Sequence, residues 1–324
     1  MGPLPVPPHF RPESVGEVWR VPYEERASNA EAWAHAQGIA PAATDRFRLC
    51  LVAVDVQNTF CTPGFELTVP GAVDDSRRLS EFVYRNLGSI TRIVPTLDTH
   101  QALQIFHAAF LVDADGNRPG PYTLVSAKDV AEGRWKIDPA TGVDPDYLER
   151  YTRELEAGGR DQLTIWPYHA MLGGIGHALV SAVEEAFFFH AIARRVGPRF
   201  EIKGFNPLTE HYSVLGPEVF GEKNEELIAE LLSFDAVVIA GQAKSHCVAW
   251  TIDDLLRHPD AEEQGLARRV YLLEDCTSPV VVAGVVDYTE EADAAVRRFA
   301  GAEMNVVRST EPIETWPGLT ASRA

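Results

Sequence analysis

Short apolar runs, each stopping at a charged or small residue and separated by stretches of helical periodicity, constrain this chain most. LCLVAVD (49–55), RIVPTLD (92–98), FDAVVIAG (234–241), RRVYLLED (268–275) and EMNVVRS (303–309) read as buried strands of a parallel sheet, with RFEIKG (199–204) a weaker sixth. Helical patterns lie between them at 74–87, 177–195, 225–232, 247–257 and 289–299. That alternation implies right-handed βαβ units and a doubly wound α/β fold, with a mostly parallel sheet and helices on both faces. In such sheets ligands bind beyond the carboxyl ends of the strands. Asp55, Asp98 and Lys203 lie at or near such ends, so one rim of the sheet is expected to gather three reactive side chains.

Residues 1–45 are rich in Pro and Ala and carry no strand signal; they read as an N-terminal arm with a short helix around 29–37. Residues 46–324 read as a single α/β domain. Its rhythm breaks at about 111–165, where GNRPGP, DPATGVDPD and LEAGGRD are turn-rich and one helix is expected at 147–155. This insertion is expected over the sheet rim, either capping the pocket or forming an oligomer contact or a solvated excursion. The opening MGPLPVPPHF has no secretory h-region, and no apolar run approaches the ~18 residues that span a bilayer. Four scattered cysteines suit neither a disulfide framework nor a paired CxxC zinc site, and a reducing cytoplasm fits them. With 47 acidic against 29 basic side chains, the formal charge of −18 repels phosphate backbones and anionic membranes, which argues against nucleic acid and membrane partners.

The chemistry begins in AGQAKSHCVAWTIDDLL (240–256), where a strand ends, a short turn follows and Cys247 opens an amphipathic helix. A helix N-terminus offers a positive dipole end and free N–H groups, which favour a thiolate and an oxyanion hole. A lone cysteine is more often a small buried hydrophobe. Asp55 at one strand end and Lys203 at another change that reading, because acid, cation and nucleophile are the working set for acyl transfer. A second cluster comes from TLDTH (96–100), HAAF (107–110) and WPYHA (166–170). Asp98, His100, His107 and His169 make an Asp/His₃ set suited to Zn²⁺, Fe²⁺ or Mn²⁺, against the default of a hydrogen-bonded structural pair.

In order, VDVQNTF, TLDTH, WPYH, IKGFN…HYS and AGQAKSHCV resemble the motif series of the nicotinamidase/isochorismatase-like cysteine hydrolases, over residues 48–310. The resemblance implies an amidase that releases ammonia from a small carboxamide. Cys247 would attack the amide carbon, Asp55 would shuttle the proton, and Lys203 would hold the thiolate and orient Asp55. Backbone N–H groups of Ala243 and Cys247 would form the oxyanion hole, beside a cis peptide at Gln242–Ala243. Asp98, His100 and His169, with His107, would hold a divalent metal, with no organic cofactor, and Phe60 and Trp166 would sandwich the substrate ring. The family also favours homo-oligomers, which the arm could mediate. Ala170 departs from the family pattern where a cysteine stands, and the arm and insertion exceed the compact family size.

The rival reading is another amidase of the superfamily, acting on a carbamoyl, ureido or maleamate-like amide; an arginine-lined pocket would mark it. Isochorismatase itself is disfavoured because its relatives lack the nucleophilic cysteine. A nucleotide-binding oxidoreductase is opposed by DVQNTF, where G-x-G-x-x-G would follow the first strand. A catalytically silent scaffold is opposed by retention of Asp55, Lys203 and Cys247.

Overall fold

The structure, a computed structural model, describes residues 2–319; Met1 and residues 320–324, the outer ends of the arm and the α/β domain, lie outside the described residues. Six strands form one wholly parallel sheet. They are β1 (Leu49–Val54), β2 (Ile90–Asp98), β3 (Glu201–Lys203), β4 (Ala236–Gly241), β5 (Val270–Leu273) and β6 (Asn305–Val307), in spatial order β6-β5-β4-β1-β2-β3. Every residue of β1 and β4 is buried, which is why both are continuous apolar runs. The weak run at 199–204 is a real strand, three residues long at the sheet edge.

Seven principal helices are α1 (Tyr23–Gln37), α2 (Ala72–Arg85), α3 (Tyr147–Ala157), α4 (Ser181–Arg194), α5 (Glu225–Leu232), α6 (Cys247–Arg257) and α7 (Thr289–Gly301). The chain builds outward from β1 through β2 to β3, then returns to build β4, β5 and β6 on the other side. Right-handed crossovers therefore set α2 and α4 on one face and α5, α6 and α7 on the other. The direction reverses between β1 and β4, and the carboxyl ends of those two strands make the crevice where such folds bind ligands.

The arm is packed. Its helix α1 starts well before the expected 29–37, with Glu24 and Glu25 in the first turn and Gly38 closing it at φ +64°. Only Ala30 of α1 is buried, so its sequence carried little helical periodicity. The Leu4 N–H donates to the Arg85 carbonyl (2.8 Å), and the Trp19 N–H donates to Ser181 Oγ on α4 (3.0 Å). Arg194 of α4 is 1% exposed and pairs with Asp45 (2.5 Å), donating also to the carbonyls of Ala40 and Ile90.

The 111–165 segment forms two small antiparallel pairs, Leu111–Val112 with Lys136–Ile137 and Leu124–Val125 with Leu163–Thr164, besides α3. Helix α3 buries Leu148, Tyr151, Thr152 and Leu155. Tyr147 donates to the Leu208 carbonyl (2.8 Å), and Arg160 pairs with Asp254 of α6 (2.7 Å). The segment is thus fastened to the 205–220 loop and to α6. Among the described residues, no helix is long and apolar enough to cross a membrane.

Candidate active site

The strand register brings the site together. Asp98 and Lys203 are direct partners across β2 and β3, and Val54, just before Asp55, is paired with Gly241 on β4. Gly241 has φ +116°, and a Cβ there would lie 2.0 Å from the Val54 carbonyl oxygen, so only glycine lets the strand ends approach this closely. Gly204 does the same beyond Lys203: at φ +90°, a Cβ would meet the Thr99 carbonyl oxygen at 2.8 Å. Asp55 itself sits at φ +46°, an αL conformation costing a non-glycine residue about 1–3 kcal/mol and typical of functional sites. Thr96 holds it there. The Thr96 hydroxyl accepts from the Asp55 N–H (3.0 Å) and donates to Asp55 Oδ1 (2.5 Å).

This leaves Asp55 Oδ2 facing Lys203 Nζ at 3.0 Å. The same ammonium donates to Asp98 Oδ1 (2.9 Å) and the His211 carbonyl (2.8 Å), and lies 3.6 Å from Cys247 Sγ. Cys247 is the first residue of α6, reached from β4 through a loop whose Gln242–Ala243 peptide is cis. Neither the Ala243 nor the Cys247 N–H donates to any acceptor among the described residues, so both are free for an oxyanion. The three expected catalytic side chains therefore meet, and all are buried.

Burial dominates their electrostatics. Burial pushes the Cys247 thiol well above its ordinary value; Lys203 opposes this, but Asp55 and Asp98 add to it. Burial and the two carboxylates thus work against the helix dipole at this sulfur. Burial likewise raises Asp55, with the Lys203 ammonium offsetting part of the effect. Burial also works against the Lys203 ammonium, but Asp55, Asp98 and the Cys247 sulfur more than offset it and hold Lys203 well above an ordinary lysine.

Beside this set, His100, His107 and His169 bring one ring nitrogen each within 4.8 Å of one another. The Nδ1 of each lies at a backbone carbonyl: His169 O for His100 (3.2 Å), Ala102 O for His107 (3.3 Å) and Pro167 O for His169 (2.7 Å). A carbonyl only accepts, so each Nδ1 carries the proton and each Nε2 presents a lone pair. His107 Nε2 is buried without a partner, while Asp98 Oδ2 lies 3.0 Å from His100 Nε2 and 3.7 Å from His169 Nε2. Burial keeps His107 (to about 4) and His169 (to about 3) neutral, as metal ligands must be. Acceptors facing acceptors fit a shared divalent cation, and His107 belongs to the cluster as fully as the other two.

The cavity between these groups is lined by Phe60, Trp166, Ala243 and Cys247 as expected. It is also lined by Phe106, Glu210, Tyr212 and His246, which sequence reasoning gave no role. The HYS motif contains Tyr212, but nothing in TEHYS signalled that Glu210 would be buried. Thr96 carried no signal either, since a threonine inside a strand is ordinary. No residue of 111–165 lines the cavity. The segment instead backs its wall, with Tyr122 edge-on to Trp166 at 6.0 Å.

No family model matches the chain, and no curated protein matches it in sequence. Solved structures do match. The yeast nicotinamidase is 23% identical, with 80% of this chain and 99% of that one covered at a TM-score of 0.55. An Acinetobacter baumanii nicotinamidase/pyrazinamidase is 20% identical, covering 82% and 98% at 0.54. A protein from L. infantum, in complex with nicotinate, is 20% identical, covering 82% and 95% at 0.50. The chain has the nicotinamidase fold. Each neighbour is covered almost whole, so this chain carries the complete fold together with segments the neighbours lack.

Proposed function

We propose that this chain is a cysteine amidase that releases ammonia from a small carboxamide, in the manner of a nicotinamidase. One contact set carries the reading: Lys203 Nζ lies 3.0 Å from Asp55 Oδ2 and 3.6 Å from Cys247 Sγ, beside two undirected backbone N–H groups. The fold shared with nicotinamidases supports it.

In this mechanism the amide oxygen is received by the N–H groups of Ala243 and Cys247 while Sγ attacks the amide carbon. Asp55 takes the thiol proton as the C–S bond forms and gives it to the nitrogen as the C–N bond breaks, so ammonia leaves. Asp55 then deprotonates a water, which cleaves the thioester and restores the thiol. A carboxyl raised by burial suits a group that must both take and return a proton. Lys203 compensates the buried carboxylates and steadies the charge that passes through sulfur. Phe60 and Trp166 flank the substrate ring. Asp98, His100, His107 and His169 would hold a divalent ion, Zn²⁺, Fe²⁺ or Mn²⁺, which supplies Lewis-acid coordination for a ring nitrogen or a water beside it. Among the described residues no lysine or arginine lines the cavity, which favours uncharged carboxamides over carbamoyl or maleamate-like acids.

The test is to incubate pure protein with nicotinamide and a panel including maleamate and a ureido acid, measuring ammonia and bound metal. Ammonia from uncharged carboxamides is expected. Release from none of them rejects the reading, and release from the acids alone favours the rival.

A further inference from the structure

Of the two N–H groups offered to an oxyanion, that of Cys247 is fixed by its place at the start of α6. The Ala243 N–H belongs to the peptide joining it to Gln242. Among the described residues neither that N–H nor the Gln242 carbonyl has a hydrogen-bond partner, so the tilt of the peptide is set by what holds its two flanks. On one flank the Ala243 carbonyl accepts from the N–H groups of His246 (3.0 Å) and Val248 (3.2 Å). On the other, the Gln242 N–H donates to the Val54 carbonyl (2.8 Å), and the Gln242 side chain does the rest. That side chain is 1% exposed and lies outside the cavity lining. Its Nε2–H donates to Asp75 Oδ2 (2.9 Å) in the first turn of α2, and its Oε1 accepts from the Ser278 N–H (3.4 Å) beyond β5. Asp75 is 3% exposed; its Oδ1 accepts from Arg78 (2.8 Å), which donates also to the Asp275 carbonyl. Packing alone would be served by an apolar side chain of the same length. A buried amide with both ends bonded adds direction, because its partners fix where it points.

We propose that Asp75 and Gln242 are positioning residues: their hydrogen bond aims the Ala243 N–H into the oxyanion hole. The proposal rests on the amidase reading and deepens it. Neither side chain touches the substrate. A donor serves an oxyanion only from about 2.7–3.1 Å, so a small change in the tilt of this peptide weakens the transition state while leaving substrate binding in place.

The test uses Gln242→Met, which removes both amide bonds at equal length, and Gln242→Glu, which sets carboxylate against carboxylate. A third variant, Asp75→Asn with Gln242→Glu, exchanges the two partners and again faces an N–H donor to a carboxylate. The substrate is nicotinamide and the probe is pyridine-3-carboxaldehyde. The Cys247 thiol adds across the aldehyde C=O, sulfur to carbon and proton to oxygen, and the adduct places that oxygen in the hole. Removing an oxyanion donor outright costs ~10²–10³ in kcat, so misdirecting one is expected to cost about tenfold or more. Both single variants should show that loss in kcat with KM within about twofold, and a matching loss in aldehyde affinity. The exchanged pair should recover most of both. Iodoacetamide alkylation of Cys247 needs no oxyanion hole and should run at the native rate in all three. Native kcat and aldehyde affinity in Gln242→Met, alkylation that slows in step with kcat, or an exchanged pair no better than Gln242→Glu overturns the proposal and leaves the pair a packing role. Thermal melting reads folding; if Gln242→Met is unfolded at the assay temperature, Gln242→Glu against the exchanged pair decides. No ammonia from the native chain on any amide sinks the amidase reading, and the aldehyde affinities then decide this proposal by themselves. An aldehyde that the native chain does not bind overturns both.

Discussion

Replacing Thr96 by valine tests whether Asp55 is placed by the strand beside it. The substitution keeps the side-chain shape and opens no cavity, but it removes both contacts of one hydroxyl with Asp55. The Asp55 N–H, buried and stripped of its acceptor, costs about 1–3 kcal/mol, and the lost bond to the carboxylate about 1.5–3 kcal/mol. A loss near 3 kcal/mol is a large share of the ~5–15 kcal/mol that holds a typical domain. Urea titration should read it as a midpoint lowered by about 1 M with an unchanged slope. The pH dependence has a definite sign. Burial raises Asp55 above its unfolded value, so Asp55 favours folding at low pH and ceases to as pH rises through its folded value. The Thr96 hydrogen bond lowers Asp55, and its loss raises Asp55 further. The stability deficit of Thr96→Val should therefore be smaller in acid, where only the orphaned Asp55 N–H contributes, and full once pH has risen through the folded value of Asp55. The acid limb of kcat/KM should move to higher pH. Thr96→Ser retains both bonds and should stay within about 1 kcal/mol of the native chain. Indistinguishable valine and serine variants, or an acid limb that stays put, would refute the argument.

Cys247→Ala should cut ammonia release by about 10³-fold or more while leaving the fold intact. Iodoacetamide should modify Cys247, on the cavity wall, ahead of the sealed Cys50, Cys61 and Cys276, as mass spectrometry would show; even labelling contradicts this. Asp55→Asn and Lys203→Met should each remove most activity and together little more, because members of one unit are not additive; multiplied losses in steady-state rates count against a unit. His107→Ala should weaken metal retention in a chelator competition, and retention equal to the native chain removes His107 from the ligand set. Replacing 115–158 by a short Gly/Ser linker strips the backing from the Trp166 wall, so relative rates across the amides should change while metal content is kept; unchanged rates assign the segment no part in substrate choice.

Strand and helix positions were readable because each carries its own periodicity, and the rim followed from where the strands stop. Asp55, Asp98 and Lys203 announced themselves as charges ending apolar runs, and Cys247 as the opening of an amphipathic helix. What stayed illegible depends on distances the sequence does not carry. Thr96 matters only because β2 runs beside β1 in a register that sets it next to Asp55. Glu210 reaches the cavity only because its loop folds inward against Tyr151, more than fifty residues earlier in the chain. The balance at Cys247 was not legible from helix position alone, since burial and two carboxylates oppose the dipole there. The approach of His107 to His100 and His169 could not be read from its spacing along the chain, a quantity that loses meaning once the loop closes and the rings converge.

The ion pair between Arg194 and Asp45 changes what counts as the unit of folding. Texture in the sequence places a boundary at residue 46, but the positive charge sealed inside α4 has its counter-ion on the far side of that boundary. A chain trimmed at the boundary would keep all six strands and every proposed catalytic group, and would leave a guanidinium buried without its carboxylate. Breaking such a pair from one side typically costs about 3–5 kcal/mol. The arm is therefore a structural debtor and creditor of the sheet at once: it has almost no core of its own, and the core lacks neutrality without it. Unfolding is expected to release both together, and a protease that sheds the first 45 residues would not leave behind a smaller version of the same enzyme.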